Sequence, residues 1–205
     1  VGELAKKYGK VFLVDCISSL AGDKMDFSSI DIAVGTANKC LQGVPGVSFV
    51  LFRKKELARL IKIPARTLYF NLTGYHKAQE TGGLLFTPAI PAHYALDVAL
   101  DELIEETVAG RIKRYGDAAN FLRDGFKNLG FEFLIPKGWR SNCLTGLKLP
   151  KGISYEKLHA ELKSNGFVIY AGQGKLSESI FRIANMGDIK KEEFQRLLKT
   201  LEAIV

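Results

Sequence analysis

Long hydrophobic runs are absent from this 205-residue chain, since no apolar stretch approaches the roughly 18 residues that a membrane-spanning helix requires. The first residues carry charges at Glu3, Lys6 and Lys7, where a secretory signal would have an apolar centre, so we expect no such signal. An initiator methionine is also missing, and the chain starts in a helix-like pattern. We therefore expect the sequence to be part of a longer protein.

Cysteine and histidine are scarce and widely spaced, with three residues of each type. They are Cys16, Cys40, Cys143, His76, His93 and His159. Neither set has the spacing of metal ligands, so we expect no metal site. An odd number of cysteines also fits a reduced, cytoplasmic protein better than a secreted disulfide scaffold.

The net charge is positive, at +7, but the basic residues are spread along the chain. No basic run is interleaved with aromatic residues, so we do not expect nucleic acid as a partner. A positive field would instead attract small anionic substrates. Hydrophobic residues make up 47% and charged residues 25%, which is typical of a globular chain and argues against disorder.

Short, wholly apolar runs alternate with helical patterns, which predicts an α/β fold with two lobes. We place strands at 11–14, 30–34, 47–52, 131–135, 144–149, 167–170 and 180–183. Helices are predicted at 4–8, 54–61, 91–106, 110–128, 155–164 and 190–204. Residues 62–90 carry prolines and glycines throughout, which predicts an irregular and functional segment. The lobes are predicted to comprise residues 1–105 and 106–205, with βαβ-like units in both.

Two charged residues stand where apolar strands of the first lobe end. Asp15 ends the first predicted strand, and Lys39 follows the second by a few residues. Because ligands of α/β sheets collect at the carboxyl ends of the strands, both residues are predicted to lie at one rim. Two structural alternatives stay open: a buried ion pair between Asp15 and Lys39, or a capping role for Asp15 in the turn that follows it.

The loop after Lys39 holds Gly43, Pro45 and Gly46, which leaves room beside the lysine for a flat ligand. The strand after this loop is very apolar, so the amine is expected to be partly desolvated and nucleophilic. Arg182 lies in a later strand-like segment, where its planar guanidinium could hold a carboxylate or phosphonate by two hydrogen bonds. The alternative for Arg182 is a surface or domain-bridging role.

Four motifs, found in order along the chain, are shared with a known family. They are VDCISSLAGDKMD, GTANKCLQGVPGVSFVLF, ETGGLLFTPAIPAHYALDVALDEL and FRIANMGDI. Together they resemble the class V, fold-type-I aminotransferases, which use pyridoxal 5'-phosphate. Within that family, the lysine and arginine motifs are similar to those of the enzymes that act on 2-aminoethylphosphonate and pyruvate, SANKCIQGVPG and FRIGNIG. The resemblance implies an N-terminally truncated fold: the remainder of the large, mainly parallel domain with the interdomain helix (1–105), and the small α/β domain (106–205).

The resemblance also implies roles around the cofactor ring. Lys39 would form the Schiff base with the cofactor aldehyde and move a proton between the substrate carbon and the cofactor. Asp15 would pair with the protonated pyridine nitrogen and keep the ring an electron sink. Ile17 would pack on the ring face, and Ser18 would line the site.

Three further positions would contact charged groups. Thr36 would lie near the cofactor phosphate, and Thr87 would reach the phosphate of the partner subunit's cofactor, which implies a homodimer. Arg182 would hold the acidic group of the amino donor or of the keto acid. The family's phosphate-binding loop and stacking aromatic ring are not found in this chain, and the segment from Asp15 to Lys39 is about two residues shorter than the family pattern. Weak or absent cofactor binding by this chain alone is therefore an open alternative.

The expected reaction converts 2-aminoethylphosphonate and pyruvate to phosphonoacetaldehyde and alanine. An alanine–glyoxylate or serine–pyruvate type of aminotransferase would use the same residues and stays an alternative, as does a catalytically incomplete fragment or scaffold. Cysteine desulfurases share the superfamily, but they usually have a histidine before the lysine, where Asn38 stands here. We therefore expect Cys40 and Cys143 to be small packing residues.

Overall fold

The computed structural model, which describes residues 1–205, divides into two compact units. The first contains residues 1–20 and 25–102, and the second contains residues 21–24 and 103–205. No sequence pattern indicated that residues 21–24 belong with the second unit. No helix has both the length and the apolar character that crossing a membrane would require.

Helices and strands alternate along the chain. The helices are α1 (Gly2–Lys7), α2 (Lys54–Leu60), α3 (Leu72–Glu80), α4 (Ile90–Glu106), α5 (Val108–Asn128), α6 (Tyr155–Ser164) and α7 (Lys191–Ile204). The strands are β1 (Leu13–Asp15), β2 (Ile32–Thr36), β3 (Ser48–Phe52), β4 (Leu144–Lys148), β5 (Tyr170–Ala171) and β6 (Ile180–Ala184). Short 3₁₀ helices occupy Phe27–Ser29, Lys137–Trp139 and Gly174–Leu176.

The sheet of the first unit has the order β1-β2-β3. β1 and β2 are parallel neighbours, with Asp15 opposite Val34, whereas β3 runs antiparallel to β2. Because β1 and β2 share one direction, their carboxyl ends at Asp15 and Thr36 lie at the same edge of the sheet. Cys16, Ile30 and Ala33 form the buried cluster beneath this edge.

The sheet of the second unit has the order β4-β6-β5, and both outer strands are antiparallel to β6. β4 and β5 therefore run in the same direction on either side of β6. The predicted βαβ-like unit is present here in a split form, because β6 lies between the two strands that α6 connects. The core of this unit includes Phe126, Leu147, Leu158, Phe181 and Leu201, all fully buried.

Three predictions about elements are wrong in part. Residues 62–90 are not irregular throughout, because α3 forms there with Asn71 as its side-chain cap. The run 131–135 makes only an isolated bridge from Phe133 to Leu147, and Pro136, which has no N–H, follows directly. The predicted strand at 167–170 is reduced to Tyr170–Ala171, the two residues that pair with β6.

Candidate active site

Asp15 ends β1 and opens a tight turn. Its Oδ1 accepts a hydrogen bond from the N–H of Ile17 at 3.0 Å, so the capping alternative is observed for this oxygen. The next residue, Cys16, is buried, and both its N–H and its thiol donate to the carbonyl of Val34, each at 3.0 Å. Burial raises the pKa of the Cys16 thiol, so the thiol stays protonated as a donor. The turn is thus fixed to β2 while Oδ2 of Asp15 has no protein partner.

Lys39 lies in the turn between β2 and β3, and it is half-buried. The hydroxyl of Thr36 lies 2.9 Å from Oδ1 of Asn38 and 3.1 Å from the carbonyl oxygen of Val47. The hydroxyl has one proton for these two acceptors, so it donates to one of them at a time, and it lies within hydrogen-bond distance of both sides of the lysine turn. Lys39 makes no ion pair with Asp15, so the structural alternative of a buried pair between them is wrong.

The glycines after Lys39 lie in tight contact with neighbouring alanines. The N–H of Gly43 donates to the carbonyl of Ala37 at 2.9 Å. A Cβ added at Gly43 would lie 3.2 Å from the Cβ of Ala37. Gly46 has a φ of +132°, and a Cβ there would lie 3.1 Å from the Cβ of Ala92. The φ of Gly46 accounts for glycine at that position without a ligand, since only glycine takes such a φ without strain, and the close approach of Ala37 favours glycine at position 43.

A thiol connects the lysine turn to the turn after Asp15. Cys40, directly after Lys39, is buried, and its thiol donates to the carbonyl oxygen of Ser18 at 3.2 Å. The structure thus brings Asp15, Ser18 and Lys39 to neighbouring turns at one sheet edge. Cys40 was predicted to be a packing residue, so this bond was not foreseen, although its position next to the lysine was a usable signal.

The other residues predicted for the first unit differ in exposure. Ile17 and Thr36 are half-buried, while Ser18 and Thr87 are exposed. Thr87 lies in the coil between α3 and α4, and no hydrogen bond connects it to the turns of Asp15 and Lys39. Of the predicted cofactor-binding residues, Thr87 is therefore the one that this chain does not tie to the others.

Arg182 belongs to the second unit and lies in the middle of β6, the central strand. It pairs with Gly146 on one side and Tyr170 on the other. Its Nε donates to the carbonyl oxygen of Ala171 at 2.8 Å, which fixes the guanidinium against β5. The two terminal nitrogens have no protein partner, so they can hold an oxyanion by two hydrogen bonds.

These features define one carboxylate with an open oxygen and one amine without an ion-pair partner, placed on adjoining turns. A separate guanidinium presents two open donors on the second unit. An amine that is not consumed by an ion pair can react with an aldehyde, and a carboxylate can bind a protonated ring nitrogen.

The model of the family described as Aminotransferase class-V matches residues 1–187. The chain therefore belongs to the class V aminotransferases, and its fold is that of the fold-type-I enzymes, as predicted. It is 39% identical over 207 aligned residues to the 2-aminoethylphosphonate–pyruvate transaminase of Syntrophobacter fumaroxidans, covering 97% of this chain and 55% of that protein. A protein of the same name from Bacteroides fragilis strain YCH46 is 37% identical, with coverages of 98% and 57%.

Among solved structures, the alanine–glyoxylate aminotransferase of a Nostoc species matches with a TM-score of 0.90 at 25% identity. That match covers 99% of this chain and 56% of the other. The ureidoglycine–glyoxylate aminotransferase of Bacillus subtilis matches with a TM-score of 0.91 at 25% identity, with coverages of 99% and 54%. The chain thus spans about half the length of the curated relatives that it matches.

Proposed function

We propose that this chain is the lysine-bearing part of a pyridoxal-phosphate-dependent aminotransferase that acts on 2-aminoethylphosphonate and pyruvate. The observation that carries the proposal is the pair of adjoining turns, in which Lys39 and Asp15 stand at the carboxyl ends of β2 and β1 and Cys40 bonds to Ser18. The substrate pair is inferred from the names of the two transaminases to which the chain is 39% and 37% identical. The reaction transfers the amino group of the phosphonate to pyruvate, giving phosphonoacetaldehyde and alanine.

The residues present fit the ring and the aldehyde of the cofactor. Oδ2 of Asp15 is open to a ring N–H, and the amine of Lys39 is engaged in no ion pair. Few residues of this chain are available to bind the cofactor phosphate. The hydroxyl of Thr36 is bonded within the lysine turn, and Thr87 is exposed. We infer that most of the phosphate contacts come from outside this chain.

When bound, pyridoxal phosphate supplies the electron sink that lets an amino group leave one carbon and join another. Lys39 would hold the aldehyde carbon covalently and would carry a proton on Nζ to and from the substrate carbon. Asp15 would keep the ring nitrogen protonated, Ile17 would cover one ring face, and Ser18 would line the site. Thr36 would contact the phosphate.

Arg182 would bind the acidic group of the donor and of the keto acid. A guanidinium with two open terminal nitrogens suits phosphonate and carboxylate alike, so this residue does not choose between them. The relatives favour the phosphonate donor, whereas the Nostoc structure favours an alanine–glyoxylate enzyme as the second candidate. A panel of amino donors separates the two, because only the first is expected to prefer 2-aminoethylphosphonate to alanine.

We also infer that the protein is a homodimer with Thr87 near the partner subunit's phosphate. Large apolar side chains are exposed between α2 and α4 and in the first turns of α4. They are Leu68 at 73%, Phe70 at 79%, Leu84 at 69% and Tyr94 at 71% exposed. An apolar surface of this kind marks a contact with another protein surface. Phe70→Asp is expected to lower the mass measured by light scattering from dimer to monomer, whereas Lys62→Asp is not. The cytoplasmic location stays a prediction from the cysteine content.

The test is reductive trapping at Lys39. The purified chain is incubated with pyridoxal phosphate, treated with borohydride, digested and mapped, beside Lys39→Ala and the control Lys54→Ala. A pyridoxyl group on Lys39 that Lys54→Ala retains and Lys39→Ala loses supports the proposal. Because phosphate contacts are sparse here, the same test is run on a chain that includes the remaining half of its relatives. Absence of the adduct from both chains overturns the proposal.

A further inference from the structure

Asn185 lies just beyond β6, three residues after Arg182, and it is 2% exposed. Its N–H donates to the carbonyl oxygen of Cys143 at 3.1 Å. Its side-chain Nδ2 donates to the carbonyl oxygen of Tyr115 at 3.2 Å and to that of Asn142 at 2.9 Å. One buried amide thus connects the end of β6 to α5 and to the segment before β4.

Hydrogen bonds also fix the segments that neighbour the Asn185 amide. The N–H of Asn142 donates to Oδ1 of Asp23 at 2.8 Å. The N–H and the carbonyl oxygen of Asn142 therefore both have hydrogen-bond partners. The hydroxyl of Tyr115 accepts a hydrogen bond from the N–H of Gly187 at 3.1 Å, and Arg114 donates to the carbonyl of Gly187 at 2.7 Å. The exit of β6 is therefore fixed at two successive points on α5.

We propose that Asn185 is a positioning residue that sets the direction of the Arg182 guanidinium. Along a strand, side chains alternate between faces, so a rotation or slip at the exit of β6 would redirect Arg182 as a whole. Burial makes the amide hard to replace, because two carbonyl oxygens would lose their donors where water does not reach. This inference rests on the proposed role of Arg182 in binding the acidic group.

Asn185→Asp is the informative variant because it keeps the shape and removes the two N–H donors. Ionised, the introduced carboxylate would face two carbonyl oxygens and repel both. Protonated, it can donate one hydrogen bond and so restores part of the contact. The charged or titratable groups around the site include Tyr115 and Cys143, together with Asp23, Glu106, Arg114, Arg123 and Asp188.

The readout is the Nε–Hε NMR signal of Arg182 and its hydrogen-exchange rate in the purified 205-residue chain. In Asn185→Asp at pH 7, we expect a shifted signal and exchange faster by about tenfold, since the bond to Ala171 is weakened. Lowering the pH to 5 should move both quantities part of the way back. The matched control is Asn165→Asp at the exposed end of α6, where the same change should leave Arg182 as in the native chain.

A folded Asn185→Asp chain with the native Arg182 signal and exchange rate would overturn the proposal. Should that variant not fold, Asn185→Ser decides, because its hydroxyl donates one hydrogen bond in place of the two that Nδ2 of Asn185 donates. Faster exchange at Nε of Arg182 with a shifted signal supports the proposal, and an unmoved Arg182 signal overturns it. Neither readout uses the cofactor. A result that overturns the positioning role of Asn185 is therefore distinguishable from a result that overturns the trapping of pyridoxal phosphate at Lys39.

Discussion

The thiol of Cys40 donates a hydrogen bond to the carbonyl oxygen of Ser18 at 3.2 Å, across 22 residues of sequence. This bond joins the turn of Lys39 to the turn that follows Asp15. Together with the thiol of Cys16, which donates to Val34 at 3.0 Å, it fixes the relative placement of the two candidate catalytic groups. Cys40, which was predicted to be a small packing residue, and Cys16 therefore both act as hydrogen-bond donors beside the candidate site.

Replacing Cys40 tests this connection. Cys40→Ala removes the donor and leaves a small cavity, so we expect the free energy of unfolding in urea to fall by about 2 kcal/mol. We also expect slower trapping of pyridoxal phosphate at Lys39, whereas Cys40→Ser keeps a donor and should restore the rate. Cys143→Ala, in the second unit, should leave the trapping rate unchanged. Equal trapping rates for Cys40→Ala and the native chain would contradict the positioning role.

Glu106 is expected to make stability depend on acid pH. Its carboxylate accepts hydrogen bonds from Arg114 at 2.6 Å and from Arg111 at 2.7 Å, and these partners lower its pKa from 4.5 to about 2. A carboxylate whose pKa is lowered by folding stabilises the fold above its unfolded pKa. That contribution is lost as the pH falls from about 4.5 towards 2.

Unfolding of Glu106→Gln measures this contribution. At pH 7 we expect the variant to be less stable by roughly 2 kcal/mol, because one partner of a partly buried ion cluster is lost. At pH 2 the difference should shrink, since the native carboxyl is then partly protonated. The exposed Glu202→Gln should differ little from the native chain at either pH. A Glu106→Gln deficit that is the same at both pH values would refute the assignment.

Thr107 joins α4 to α5 with a φ of +67° and a ψ of +148°, a conformation that glycine takes and threonine resists. Its hydroxyl accepts a hydrogen bond from the N–H of Gly110 at 3.0 Å, which caps α5. Thr107→Gly relieves the backbone strain, and glycine at an N-cap position is only slightly less favourable than threonine. Thr107→Ala keeps the strain and removes the capping hydroxyl. In thermal or urea unfolding, the glycine variant should therefore exceed the alanine variant by about 2 kcal/mol. The reverse order would show that the backbone there is not strained.

Gly35 in β2 leaves space that the ring of Phe49 fills. A Cβ at Gly35 would lie 2.5 Å from Cε2 of Phe49 and 3.1 Å from Cδ2 of Leu20, so both side chains would have to move. We expect Gly35→Ala to lower the free energy of unfolding by about 1–3 kcal/mol. Gly138→Ala, with nothing within 4 Å of its added Cβ, is the matched control and should be nearly neutral. Equal stabilities of the two variants would count against the contact.

Much of the local structure follows from the sequence. The first helix ends at Lys7 before Gly9, whose φ of +59° is the left-handed conformation that a glycine after a helix supplies. The apolar runs of β2 and β3 were likewise sufficient to predict these strands, and the helical apolar pattern of α7 was sufficient to predict that helix. The strand at 131–135 and most of 167–170 did not form, because pairing requires a neighbouring strand in register and only a few residues have one.

The sequence by itself determined the family, through four ordered motifs, and the places of Asp15, Lys39 and Arg182 beside apolar strands. Only the tertiary structure decided what holds these residues. The bonds from Cys40 to Ser18, from Asn185 to Tyr115 and from Ser141 to Asp23 span 22, 70 and 118 residues. Local patterns record the period of an element and its caps, whereas such contacts depend on strand register and on how buried polar groups find partners.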